Sequence, residues 1–281
     1  MLKEVIHTPE SPLRHPLLLF RQMSTDLMAS RELAWRLMVR DISAQYRGSL
    51  LGVGWALIPP LVMAFTFSLA SEAKVFTPGP TDLPYPLYVM LSTSLWQTFV
   101  ESINGPIQAV MRAKPMLTRV NFPREAILLA KLGEVGFNFG MKLLLITALF
   151  LIYKISVGWA VLLAPVALIH LILLGTVVGT LLSPLGALYQ DVSKGLTLVT
   201  GFWLFLTPVV YSVPTQGKLA LLVNLNPVTP LLVTTRELAT TGILTQVMSF
   251  WWVSGLVWIS LLLTWIMFRL SMPYVIERAS S

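Results

Sequence analysis

Charged positions along the chain come in clusters separated by long uncharged runs, and the runs predict the elements. Residues 1–23 are polar and carry Pro9, Pro12 and Pro16, which reads as an irregular arm. Residues 24–47 switch to a helical period. At about 100° per residue, Glu32, Arg36, Arg40, Ser43 and Arg47 share one narrow stripe. Leu27, Ala34, Leu37, Met38 and Ile42 fall opposite, with Trp35 at the boundary. The pattern predicts an amphipathic helix in the headgroup plane, basic face toward water and lipid phosphate. Arg31 and Asp41 interrupt its apolar side, so a helix packed on protein is the alternative.

From Gly48 no charge occurs until Glu72. The run 48–71 is long enough to cross a hydrocarbon core, which takes about 20 residues, and Pro59 and Pro60 predict a kink within it. A second span covers 83–100 and continues less regularly to 111. A third covers 126–153 and contains Lys131, Glu134 and Lys142. Lys131 and Glu134, three apart, can pair on one helix face. Lys142 falls near mid-depth, where an ammonium is costly and marks a functional candidate; snorkelling or pairing with Glu134 is the alternative. The uncharged run 155–190 predicts a lead-in around Trp159 and Pro165 and then a helix to about Tyr189. Its Gly175 and Gly179 allow close helix contact. His170 within it reads as a hydrogen-bonded packing residue. Residues 195–213 form a fifth span and 247–268 the last. Between them NPVTP, at 226–230, predicts two short re-entrant or interfacial helices.

The expected fold is therefore an all-α integral membrane protein. An amphipathic interfacial helix precedes six transmembrane helices, and short re-entrant helices precede the last. The divisions are an arm at 1–23, the amphipathic helix at 24–47, a transmembrane domain at 48–270 and a tail at 271–281. Charge sets the orientation. Of 20 Lys plus Arg, seven lie in the arm and first helix, and Arg112, Lys114, Arg119 and Arg124 crowd the first inner loop. The outer loops hold Lys74, Lys154, Lys218 and Arg236. That asymmetry places both termini in the cytoplasm. PLLLF at 16–20 is too short for a signal peptide's apolar region, and no cleavage site follows it.

Composition agrees with this picture. Of 281 residues 55% are hydrophobic and only 12% charged, about half the charged share of soluble domains; mean hydropathy is +0.74. The net charge of +7 sits beside apolar spans, which points to a membrane face rather than nucleic acid. With no cysteine there is no disulfide framework, thiolate metal site or thiol nucleophile. Catalytic motifs are missing too. The Gly217-Lys218 pair lacks the first glycine of a phosphate loop. His7, His15 and His170 are too scattered for a metal site, and Glu101 and Glu134 lie on different spans. No catalytic residue and no metal ligand is expected, and uphill work needs an ion gradient or a partner.

Four segments carry a family resemblance: RDISAQYRGSLLGVGWALIPP at 40–60, NFPRE at 121–125, QDVSKGL at 190–196 and NPVTPLL at 226–232. In order and spacing they resemble the permease subunits of ABC exporters for lipid-linked polysaccharide, such as O-antigen, capsule and teichoic acid. Gln190 departs from the arginine usual there. The resemblance covers about residues 28–269. It implies a homodimer in the bacterial inner membrane, bound to two nucleotide-binding subunits that use ATP and Mg, with no cofactor on this chain. It implies a cargo of undecaprenyl-diphosphate carrying a glycan, most simply O-antigen. Arg36, Arg40, Tyr46, Arg47 and Gly48 would then form the headgroup gate. Arg119, Phe122, Pro123, Arg124 and Glu125 would dock the ATPase, with Phe122 as apolar anchor and Arg124 and Glu125 as exposed polar contacts. Trp55, Phe65, Phe67, Phe202, Trp203, Phe205 and Lys142 are candidates for the glycan channel. A permease for drugs or small lipids, and an ion-coupled secondary transporter, are the alternatives.

Overall fold

Pro16 opens the first helix of the computed structural model, which describes residues 16–75, 77–117 and 122–280. All regular structure among these residues is helical. Helix α1 (Pro16–Tyr46) starts eight residues before the expected Ser24. Proline is no obstacle there, because a helix's first N–H groups have no internal partner. Leu19, Met23, Ser30, Ala34 and Leu37 are buried at helical spacing. α1 lies against α4 (Glu125–Ile152), with Ala34 and Leu37 in one cluster with Ala126 and Ala130. Its apolar side is taken up by protein, which leaves the arginine stripe outward.

A 3-10 turn (Gly52–Ala56) leads into α2 (Ile58–Glu72). Pro59 and Pro60 fall in the first turn of α2 rather than in a span interior. They start a helix where a kink was expected. Helix α3 (Tyr85–Leu117) continues unbroken through Pro106 and Pro115, so Arg112 and Lys114 are helical rather than in a loop. It is the central element, packed against α2, α4 and α5 (Ala164–Leu188). That packing overrides the weak propensity of its Asn104-Gly105-Pro106 stretch. Ser and Thr on its buried face donate back to their own helix, as Thr98 does to the Ser94 carbonyl at 2.8 Å and Ser102 to the Thr98 carbonyl at 2.7 Å.

The α3–α5 seam explains the spaced glycines. A side chain at Gly175 would collide with the Phe99 carbonyl, one at Gly179 with the Ile103 carbonyl, and one at Gly186 with the Ile107 side chain. Two helix backbones therefore touch through positions that only glycine permits. His170, also on α5, is packed as expected: its Nδ1 lies 2.8 Å from the Val166 carbonyl, and Trp258 Nε1 reaches its Nε2 at 3.3 Å.

Helix α6 (Asp191–Phe205) buries only Leu196 and Thr200. Two short helices follow, α7 (Gly217–Leu225) and α8 (Val228–Ala239), and they meet at Asn226-Pro227 as NPVTP predicts. Helix α9 (Val247–Ser280) runs straight past Arg269, so residues 271–280 extend a helix instead of forming a separate tail. Among the described residues, three stretches are long and apolar enough to cross a membrane: Glu125–Ile152, Trp159–Leu188 and Val247–Arg278. Helix α2 is apolar but shorter, and its 15 residues rise about 22 Å.

Candidate functional site: the α1 face and its buried ties

Arg36, Arg40 and Arg47 are exposed on α1 and just beyond it. Arg36 pairs with Glu32 at 2.6 Å and Arg40 with Asp41 at 2.9 Å. Both are surface pairs worth little in themselves. Gly48 and Gly52 take positive φ, 77° and 51°, so the chain turns immediately after α1 where a side chain would strain it. Tyr46 points the other way. Its hydroxyl donates to Asn138 Oδ1 on α4 at 3.0 Å.

That bond ends a buried chain of polar groups. Asn138 Nδ2 donates to Glu101 Oε2 on α3 at 3.3 Å, and Lys142 Nζ donates to Glu101 Oε1 at 2.6 Å. Lys142 is 1% exposed and Glu101 about one third. Lys142 thus pairs across to α3, not with Glu134. Glu134 instead takes Lys131 at 2.5 Å, as their spacing predicts. The sequence pointed at Lys142 but missed its partners. The signal was present: Lys131, Glu134, Asn138 and Lys142, spaced three, four and four, form one polar stripe on an otherwise apolar helix.

A second tie gathers α1, α4 and α9. Arg269 meets Asp26 at 2.6 Å and Glu125 at 3.2 Å. Glu125 is 5% exposed, which removes it from the set of exposed docking contacts. Phe122 is half-buried against the cluster of Val110, Leu117, Ile127, Phe268 and Met272, so it too is partly committed to its own chain. Pro123 and Arg124 are half-buried beside it. Burial lowers the Arg124 guanidinium from its ordinary value; Glu125 opposes that shift and Arg269 adds to it. Arg119 lies outside the described residues.

The aromatic candidates divide. Trp55, Phe65, Phe202 and Phe205 are exposed. Phe67 packs against the core. Trp203 stacks edge-on to Trp96 and Phe99, and its Nε1 donates to Asn226 Oδ1 at 3.0 Å. Its polar edge is engaged inside the subunit and unavailable to a sugar. Asn226 also receives the Val228 N–H and donates to the Leu206 carbonyl and the Thr207 hydroxyl. At the same end Arg236 is buried, with its guanidinium 4.3 Å above the Tyr88 ring and bonded to Ser92 Oγ and the Pro208 carbonyl. No cluster of residues able to hold a metal exists among the described residues.

A helical bundle with apolar spans, ion pairs held inside it and a basic helix at one end defines an all-helical membrane protein. The chain belongs to the ABC-2 type transporter family, whose model matches residues 32–239, from within α1 to the end of α8. It is similar to the O-antigen export system permease protein RfbA of Myxococcus xanthus, 26% identical over 214 residues that cover 74% of this chain and 80% of that one. Two proteins of the same name from Klebsiella pneumoniae are 22% identical over 228 residues, covering 78% and 84%, and 24% identical over 217 residues, covering 73% and 79%. All three relatives are named as permease proteins of an O-antigen export system.

Proposed function

We propose that this permease is the membrane half of an ATP-driven exporter for undecaprenyl-diphosphate-linked polysaccharide, O-antigen in the simplest case. The observation that carries this reading is that the three relatives, each aligned over nearly three quarters of the chain or more, are all O-antigen export permeases. In this reading six spans, formed by α2, α3, α4, α5, α6 and α9, cross the bacterial inner membrane with both termini inside. Two copies assemble with two nucleotide-binding subunits, which bring ATP and Mg. The outward arginines of α1 suit a diphosphate at the inner headgroup level, since guanidinium groups bind phosphate oxygens in a bidentate way. Exposed Trp55, Phe65, Phe202 and Phe205 suit a face shared with the second copy and the glycan.

The test is to purify the permease with its ATPase from native membranes and identify the co-purifying lipid by mass spectrometry, with export followed in a deletion strain. A lipid-linked glycan that accumulates inside when the permease is deleted supports the reading. Unchanged surface polysaccharide, with only small lipids or drugs transported, overturns it.

A further inference from the structure

Lys142 is an enclosed cation in the middle of an apolar helix, and a carboxylate one helix away neutralises it. Removing one partner of such a pair leaves an uncompensated buried charge, which holds the two together. The direction of the remaining bonds then follows. An ionised Glu101 can only accept, so the amide of Asn138 must turn its Nδ2 toward Glu101. That leaves Asn138 Oδ1 facing α1, where only a donor fits, and the Tyr46 hydroxyl supplies it. Tyr46 is the last residue of α1. Beyond it Arg47 is exposed, and a side chain built at Gly48 would meet nothing within 4 Å.

We propose that Lys142 and Glu101 are positioning residues for α1: the pair orients Asn138, Asn138 holds Tyr46, and the C-terminal end of α1 with Arg40 and Arg47 is thereby placed by an ion pair between α3 and α4. A change in the α3–α4 packing reaches the C-terminal end of α1 through this polar chain. By reciprocity, a ligand that pulls on α1 loads the buried pair.

The natural absence of cysteine makes the idea testable on the full-length protein in phospholipid nanodiscs. Met38 Cβ lies 4.0 Å from a Cβ built on Gly133, within the range of about 3.5–4.5 Å that a disulfide needs. In a Met38→Cys, Gly133→Cys background, the initial rate of oxidation by copper phenanthroline reports how closely α1 stays docked on α4. Tyr46→Phe, which deletes one hydroxyl, slows oxidation by up to about fivefold, the ceiling that one net hydrogen bond sets. Lys142→Met slows it by a similar factor although it touches neither α1 nor the cysteines. The two together are no slower than either alone, because both break the same chain. An unchanged rate in Tyr46→Phe, or effects that multiply, overturns the proposal. If Lys142→Met fails to fold, Glu101→Gln, which keeps the side chain's shape and removes its charge, takes its place in the cycle with Tyr46→Phe and decides it by the same criteria.

Discussion

Asp26 on α1 and Arg269 on α9 stand 2.6 Å apart, joined across nearly the whole length of the sequence. Because Arg269 also neutralises buried Glu125, the two ends of the pair are unequal. Asp26 is more than a third exposed, and Asp26→Asn costs about 1 kcal/mol or less. Arg269→Met strands the Glu125 carboxylate and costs about 3 kcal/mol. Thermal unfolding in detergent checks the order; equal losses would show that Glu125 does not depend on Arg269.

The glycine seam gives a second expectation. Gly179→Ala pushes a methyl into the Ile103 carbonyl, an overpacking cost of about 1–3 kcal/mol. Gly136→Ala, on the open side of α4, meets nothing and gains up to about 1 kcal/mol of helix propensity. The same melting experiment separates them by sign.

Asn226 joins α6, the following turn and α8 through four hydrogen bonds. Asn226→Ala removes partners from Trp203, Thr207 and the Val228 amide at once. The loss is about 3 kcal/mol, as buried donors left unmatched each cost 1–3. Hydrogen exchange across residues 217–239 accelerates in this variant. Unchanged protection there would mean that α8 is held by its apolar packing alone.

Arg40→Glu with Arg47→Glu reverses the charge of the exposed α1 stripe without touching the core. Surface polysaccharide disappears while the protein still inserts and melts normally. Normal polysaccharide on these cells would remove the stripe from headgroup binding.

The turn before α4 calls for a choice of variant. Phe122 supports its own subunit, so Phe122→Ala mixes folding with docking. Arg124→Ala keeps the α3, α4 and α9 cluster intact and lowers capture of the ATPase in a pull-down. Wild-type capture would move the docking surface elsewhere. Glu125→Ala destabilises the bundle through Arg269 and is no probe of docking.

Local signals carried far in this sequence, and contacts between distant segments did not. The stripe on α1, the Lys131–Glu134 pair, the glycine spacing on α5 and the break at NPVTP each lie within a few residues and obey one helix period. Lys142 was conspicuous from burial cost alone. Its partner Glu101 sits on another helix, and only the α3–α4 register brings the two together. The same reason hid Arg269 from Asp26 and Glu125. Glu125 looked exposed because a charged residue after Phe-Pro-Arg usually is; a guanidinium from α9 made its burial tolerable. Beyond residue 100 the second span looked less regular, yet packing of α3 against α2, α4 and α5 keeps the helix whole.

The hydroxyls on α3 have one more consequence. Thr93, Ser94, Thr98 and Ser102 each close on a carbonyl one turn back, and Phe99, Ile103 and Ile107 fill the space between them. The middle of a subunit built this way is closely packed. On the proposed function, a conduit wide enough for a polymer would run down the outer flank of the bundle rather than along that axis. There α2 and α6 bury little and hold out Phe65, Phe202 and Phe205.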